Sequence, residues 1–155
     1  MRWEYRDAAL LWLFLPAYMI HVAEEWFAGF TSWVAQFAGR PVPDDAFLLI
    51  NGVALVLLIG AIRASTRDHA SGWMAIAIAT IALVNTVGHV AGAVFTQSYS
   101  PGLVSAVILY VPLGSLAMIR AWDQAPAAQL TRGIVAGIAL HAVVFVVAFA
   151  STRLS

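Results

Sequence analysis

Five apolar stretches, each about 20 residues long, constrain this chain more than anything else in it. They cover approximately 8–30, 46–64, 72–95, 102–121 and 132–152. A helix rises about 1.5 Å per residue, so roughly 20 apolar residues cross a hydrocarbon core. The stretches are too long for strands and do not alternate, which favours helices over a barrel. Composition agrees: 62% of the 155 residues are hydrophobic and 10% are charged, against about 25% charged in soluble domains. The expectation is an all-α, five-helix transmembrane bundle forming a single domain over residues 1–155. "MRWEYRD" before the first run is read as the start of a span rather than a signal peptide, because the run is long and lacks a clear small-residue cleavage site.

The links are short, with one exception. Residues 31–45, "TSWVAQFAGRPVPDD", hold Trp33, Val34 and Phe37 ahead of a Pro-Val-Pro sequence. This reads as an interfacial or re-entrant segment that can act as a lid. Five spans place the termini on opposite sides. Arg2, Arg6, Arg63, Arg67, Arg120 and Arg132 fall on the N-terminal side, and Arg40 and Arg153 on the other. The excess of arginine marks the cytoplasmic side, so the N-terminus is expected in the cytoplasm and the C-terminus outside, in a bacterial inner membrane.

Composition also excludes chemistries. Net charge is zero, which gives no basic footprint for nucleic acid. There is no cysteine, so disulfides, thiolate nucleophiles and thiolate ligands are absent. There is no lysine, so a Schiff-base or general-base lysine is absent too.

The stretch "YMIHVAEEWF", residues 18–27, puts His21, Glu24 and Glu25 inside the first span. An ionisable group at that depth is costly and is a functional candidate by default. Glu24 lies roughly 60° to one side of His21 on a helix and Glu25 roughly 40° to the other, so one face presents all three. Asn85 and His89 are four apart and share a face of the third span. Counting along the spans brings Glu24, His89 and Asn51 to the same outer depth, with His141 about one to two turns deeper. Tyr99, Ser100 and Ser105 fall near the outer start of the fourth span. One polar cavity under the 31–45 segment is the simplest arrangement. Blander roles exist: Glu25 snorkelling or pairing with Arg40, Asn51 and Asn85 as interhelical glue, His141 as a packing histidine, Trp26 in an interfacial belt. Gly88 with Gly92, and Gly133 with Gly137, are expected to allow close helix packing.

Two adjacent carboxylates in low dielectric do not both stay charged unless a proton or a cation intervenes. His21, Glu24, Glu25, His89 and His141 supply a nitrogen and oxygen set suited to zinc or iron. A metal-bound water with its pKa lowered to about 7 would give a hydrolytic centre. The helical zinc-protease pattern HExxH is absent.

These residues carry a resemblance. His21-Val22-Ala23-Glu24-Glu25, Asn85-x-x-x-His89 and the Tyr99-Ser100-Pro101-Gly102 turn resemble the bacterial membrane protein family named for its HXXEE motif, over about 14–115. The resemblance implies a membrane setting and no particular reaction. "HVAEEWF" is also similar to a His/Glu stretch of emopamil-binding-type sterol isomerases, which are five-helix bundles; that likeness implies proton shuttling by His21 and Glu25, with Asn85 and His89 standing where a third acid is expected. The paired glutamates are similar to those of intramembrane CAAX-type proteases, without the spaced arginine that follows them there. That likeness implies water activation by Glu24 and metal or oxyanion binding by His89.

The expected function is an intramembrane enzyme with Glu24, Glu25, His21 and His89 as catalytic residues. Asn51, Asn85, Tyr99 and Trp26 are expected to bind substrate. The favoured chemistry is metal-assisted hydrolysis of a lipid-soluble substrate. Metal-free proton transfer on an isoprenoid or sterol-like lipid, as an isomerase or cyclase, is the alternative. A proton-coupled transporter or a lipid- or ion-binding protein is the non-enzymatic reading, although 155 residues without an inverted repeat is small for a transporter unless it forms a homo-oligomer. Expected partners are membrane lipid and a hydrophobic small molecule.

Overall fold

The computed structural model describes residues 5–153. Arg2, used above in the orientation argument, lies outside them. Among the described residues the regular elements are all helical. In chain order, α1 is Tyr5–Phe27, α2 Phe30–Trp33, α3 Ala35–Ala38, α4 Asp44–Arg67 and α5 Trp73–Thr96. Next come α6, Leu103–Ser105, a π-helical stretch Ala106–Tyr110, and α7, Val111–Gln124. The last helix, α8, is Ala127–Ser151. Five segments are long and apolar enough to cross a membrane: Ala8–Phe27, Asp44–Arg67, Trp73–Thr96, Leu103–Gln124 and Ala127–Ser151. The fourth is α6, the π stretch and α7 taken together.

Local chemistry sets the ends. Pro41-Val42-Pro43 cannot continue a helix, and Pro43 leads into α4, whose first turn carries Asp44 and Asp45. Those carboxylates favour the positive helix N-terminus, and Asp45 Oδ1 accepts the Ala46 N–H at 2.8 Å. Pro126 starts α8 in the same way. Pro16 lies within α1 without ending it, as neighbouring helices permit inside a membrane.

The bundle is built around α5, whose residues Ala75–Thr80, Ala82, Thr86 and His89 are buried. Small residues let α8 lie against it. A Cβ on Gly133 would stand 2.5 Å from Ile76 Cβ, and one on Gly137 2.7 Å from Thr80 Cβ. That is the close approach expected of this glycine pair. The other pair behaves differently. A Cβ on Gly88 would meet nothing within 4 Å, and one on Gly92 would strike the Trp33 ring at 2.5 Å. Gly92 therefore makes room for an indole rather than for a helix.

Helix α1 buries a stripe at three- and four-residue spacing: Leu10, Phe14 and Ala17, continuing into His21 and Glu25. The outer faces of α4 and α8 are apolar and exposed, with Leu49 at 68% and Val56 at 69%. Such faces suit lipid and would be costly in water. Between α1 and α4 the chain forms a packed cap. Val34, Val42 and Phe47 are its buried centre, with Phe30, Trp33 and Phe37 around them. The Val42 N–H bonds to the Thr31 carbonyl at 3.0 Å and closes the cap on itself.

Candidate functional site

The stripe on α1 ends in polar groups because α5 and the Gln97–Gly102 loop meet it there with polar groups of their own. Glu25 is buried, and its Oε1 lies 3.5 Å from His21 Nε2 and 3.4 Å from His89 Nε2. Both distances exceed the usual 2.7–3.2 Å of an N–H···O bond. His21 Nε2 is buried with no hydrogen-bond partner among the described residues. The ligand atoms of His21, Glu25 and His89 all lie within 4.8 Å of one another, so the three can hold a metal ion.

The far side of each imidazole is tied to a serine. His21 Nδ1 is 2.9 Å from Ser105 Oγ, and His89 Nδ1 is 3.1 Å from Ser100 Oγ. The Ser105 hydroxyl donates to the Gly102 carbonyl at 3.2 Å. A hydroxyl has one hydrogen, so when it goes to Gly102, Ser105 accepts from His21 Nδ1–H. For a neutral imidazole this assigns the Nε2 lone pair to the side facing Glu25. A lone pair and a carboxylate oxygen facing each other in a dry interior repel, unless a cation or a proton sits between them. Imidazoles held at one nitrogen by an acceptor, with the other free, are the usual arrangement of metal-ligating histidines.

Gly102 closes the site from the loop side. Its φ is +98°, a conformation that L side chains rarely adopt. A Cβ there would stand 2.7 Å from His89 Cε1, 2.8 Å from His21 Cε1 and 3.0 Å from Glu25 Cγ. The loop can approach the three side chains only because this residue has none. Beyond it, Tyr110 packs its ring 4.7 Å from that of His21. Tyr110 ends the π-helical stretch, and such stretches often mark functional sites. Phe30 of the cap lies 6.1 Å from His89, ring to ring. Trp33 Nε1 donates to Ser98 Oγ at 3.3 Å. The cap thus meets the site at His89 and the loop before the fourth span at Ser98.

Glu24 turns elsewhere. Its carboxylate accepts the Val104 N–H at 3.0 Å and the Ser105 N–H at 2.7 Å, and the Tyr99 hydroxyl donates to it as well. It caps the start of the fourth span, where free N–H groups and the helix dipole favour a negative charge. Partial burial, together with the Glu24 carboxylate beside it, pushes the Tyr99 phenol up to about 12.

The ligand set expected from the sequence therefore narrows from five residues to three. His141 is half-buried on α8, outside the compact group. Asn51 pairs with Tyr18, whose hydroxyl donates to Asn51 Oδ1 at 2.8 Å, and this ties α1 to α4. Asn85 lies one turn from His89 with its Oδ1 buried and unpartnered among the described residues. Trp26 is exposed and packs its ring 5.6 Å from Phe47. From the sequence Gly102 is only part of the Tyr99-Ser100-Pro101-Gly102 turn and Tyr110 only an interfacial aromatic, but Tyr110 is buried against His21. The signal for Gly102 was its place directly after Pro101, at the start of a span beside the Tyr99 turn.

The class is thus a helical bundle with apolar outer faces and a buried His/Glu group able to hold a metal. The chain belongs to the family described as a protein of unknown function with HXXEE motif, whose model matches residues 12–117. The motif's histidine and second glutamate are His21 and Glu25 of the buried group, and its first glutamate is the helix cap. No curated protein and no solved structure matches the chain.

Proposed function

We propose that this protein is an intramembrane metalloenzyme that hydrolyses a lipid-soluble substrate. Zinc, or iron in its place, is held by His21, Glu25 and His89. The observation that carries this reading is the spacing within the buried group. Ligands at about 2.0–2.2 Å from a tetrahedral ion lie roughly 3.3–3.6 Å from one another. The Glu25 Oε1 distances of 3.4 and 3.5 Å fall in that range, which is long for a shared proton.

Three protein ligands leave a fourth position for water, the arrangement of catalytic rather than structural zinc. The ion would lower that water's pKa towards 7 and polarise a substrate carbonyl. Glu24 is occupied by backbone amides and Tyr99, so it supports the helix start rather than abstracting a proton. The cap over the site restricts bulk water, which strengthens electrostatic interactions inside. The six-to-two arginine bias supports an N-terminus in the cytoplasm and a cap on the outer face of a bacterial inner membrane.

Elemental analysis of the purified protein tests the reading. One zinc or iron per chain is expected, and it is lost in His89→Ala and in Glu25→Gln. Protein that remains metal-free after incubation with either ion sinks the hydrolytic reading. It would leave His21 and Glu25 as a proton-transfer pair acting on an isoprenoid or sterol-like lipid.

A further inference from the structure

Helices α5 and α8 touch closely at two successive turns and then part. A Cβ on Gly133 would strike Ile76 at 2.5 Å, and one on Gly137 would strike Thr80 at 2.7 Å. Both sets of residues recur every four positions, as ridges along one side of a helix do. The next members of these ridges are His141 opposite Val84, and then Phe145 opposite Gly88. At Gly88 the contact is gone: the residue is exposed, and a Cβ there would meet nothing within 4 Å. Phe145 leans instead on Phe149, at 4.6 Å ring to ring, and Phe149 stacks on Phe37 of the cap. A gap therefore opens between the capped halves of α5 and α8.

The gap has polar edges. His141 reaches it half-buried from α8, and its ring interacts electrostatically with His89, Glu25 and His21. Asn85 is three residues from Gly88 and four from His89, so it borders both the gap and the buried group. Neither side chain has a hydrogen-bond partner among the described residues, and Asn85 Oδ1 is buried and bare. Polar groups without partners are costly at this depth. A bound molecule that hydrogen-bonds to them removes the cost. Asn85 and a neutral imidazole each offer both a donor and an acceptor, and a half-turn of the amide brings either of its ends to the gap. A hydroxyl, which donates and accepts, satisfies both residues; a plain acyl chain satisfies neither.

We propose that the gap floored by Gly88 and edged by Asn85 and His141 binds the chain of a hydroxylated lipid, and that the substrate of the buried site belongs to this class. The second half rests on the hydrolytic reading above; the first half stands without it. Helical rise sets Asn85 about 6 Å, and His141 roughly 7 Å, from the level of His89, away from the cap. The hydroxyl accordingly sits part of the way along the chain from the bond that is cleaved.

The test uses the full-length protein, purified and offered equal amounts of methyl stearate and of methyl hydroxystearates with the hydroxyl placed along the middle of the chain. Retained lipid is measured by mass spectrometry, as ester plus any acid released from it. A preference of about tenfold for a hydroxylated ester is expected, from pairing a buried bare amide. N85L/H141F loses the preference while keeping wild-type metal content and elution. G88M fills the gap and lowers retention of both kinds of ester. If either variant elutes abnormally, H141F alone is read instead, with a fall in preference of about threefold expected. H21A/H89A separates the two readings, because it loses metal yet keeps the preference. Wild-type protein without the preference assigns the gap to water and overturns the proposal. An N85L/H141F or H141F protein with the full preference, or a G88M protein that holds both esters as the wild type does, overturns it too.

Discussion

The Ser105 hydroxyl stands 2.9 Å from His21 Nδ1 while donating its own hydrogen to the Gly102 carbonyl. A serine on the fourth span thereby decides which nitrogen of a histidine on the first span faces Glu25. Ser100 Oγ stands 3.1 Å from His89 Nδ1, reaching it from the preceding loop. If these serines orient metal ligands, Ser105→Ala and Ser100→Ala each lower metal affinity by about 10–100-fold. A competition titration with a chelator measures this. Unchanged affinity in both variants would remove the serines from the site.

Gly102→Ala tests how tightly the loop is seated. The substitution adds left-handed strain of about 1–2 kcal/mol and drives a methyl group against His89, His21 and Glu25. Overpacking costs roughly 1–3 kcal/mol more. Denaturant unfolding in detergent is expected to show the combined loss, together with loss of bound metal. A variant with wild-type stability and metal content would contradict the close approach.

Glu24→Gln and Glu25→Gln are expected to part. Glu25→Gln abolishes metal binding with the bundle intact. Glu24→Gln leaves the metal in place but weakens the cap on the fourth span, at a cost of about 1 kcal/mol. Metal content and unfolding midpoint, measured side by side, distinguish them. Equal loss of metal in the two variants would return Glu24 to the ligand set.

Tyr99 gives a pH signature. Its phenol is raised in the folded protein to about 12 from the ordinary 10.0. The folded state holds the proton more tightly, so the contribution to stability is complete below pH 10 and is lost as pH rises to about 12. Wild-type stability should fall more steeply across that window than that of Tyr99→Phe. Phenolate absorbance, taken as the difference between the two proteins, reports the same titration. A Tyr99 that ionises near 10 would disprove the bond to Glu24.

The glycines of α5 and α8 predict opposite outcomes. Gly133→Ala must push Ile76 and the Trp73 carbonyl aside, with overpacking of roughly 1–3 kcal/mol expected. Gly88→Ala meets open space and gains helix propensity worth up to about 1 kcal/mol. Thermal unfolding of the two variants should move in opposite directions.

The sequence by itself determined the number of segments long and apolar enough to cross a membrane, because such segments make every backbone bond internally only as long apolar helices. It also brought Glu24, His89 and Asn51 to one depth, since helical rise converts position into height. The HXXEE spacing put Glu24 and Glu25 on the same broad face of α1 as His21, but angular spacing could not say which carboxylate turns inward. That choice belongs to the tertiary structure. It depends on the free N–H groups of Val104 and Ser105 arriving beside Glu24 from a distant part of the chain. It depends equally on Gly102 pressing the loop onto the other three side chains. His141 shows the same limit: its depth was readable from helix length, but its place outside the compact group follows from how α8 packs on α5. Height along the bilayer is a property of one helix, whereas convergence on a point requires the rotation of each helix about its own axis. Close contacts such as Gly133 on Ile76 set that rotation, and no single span encodes it.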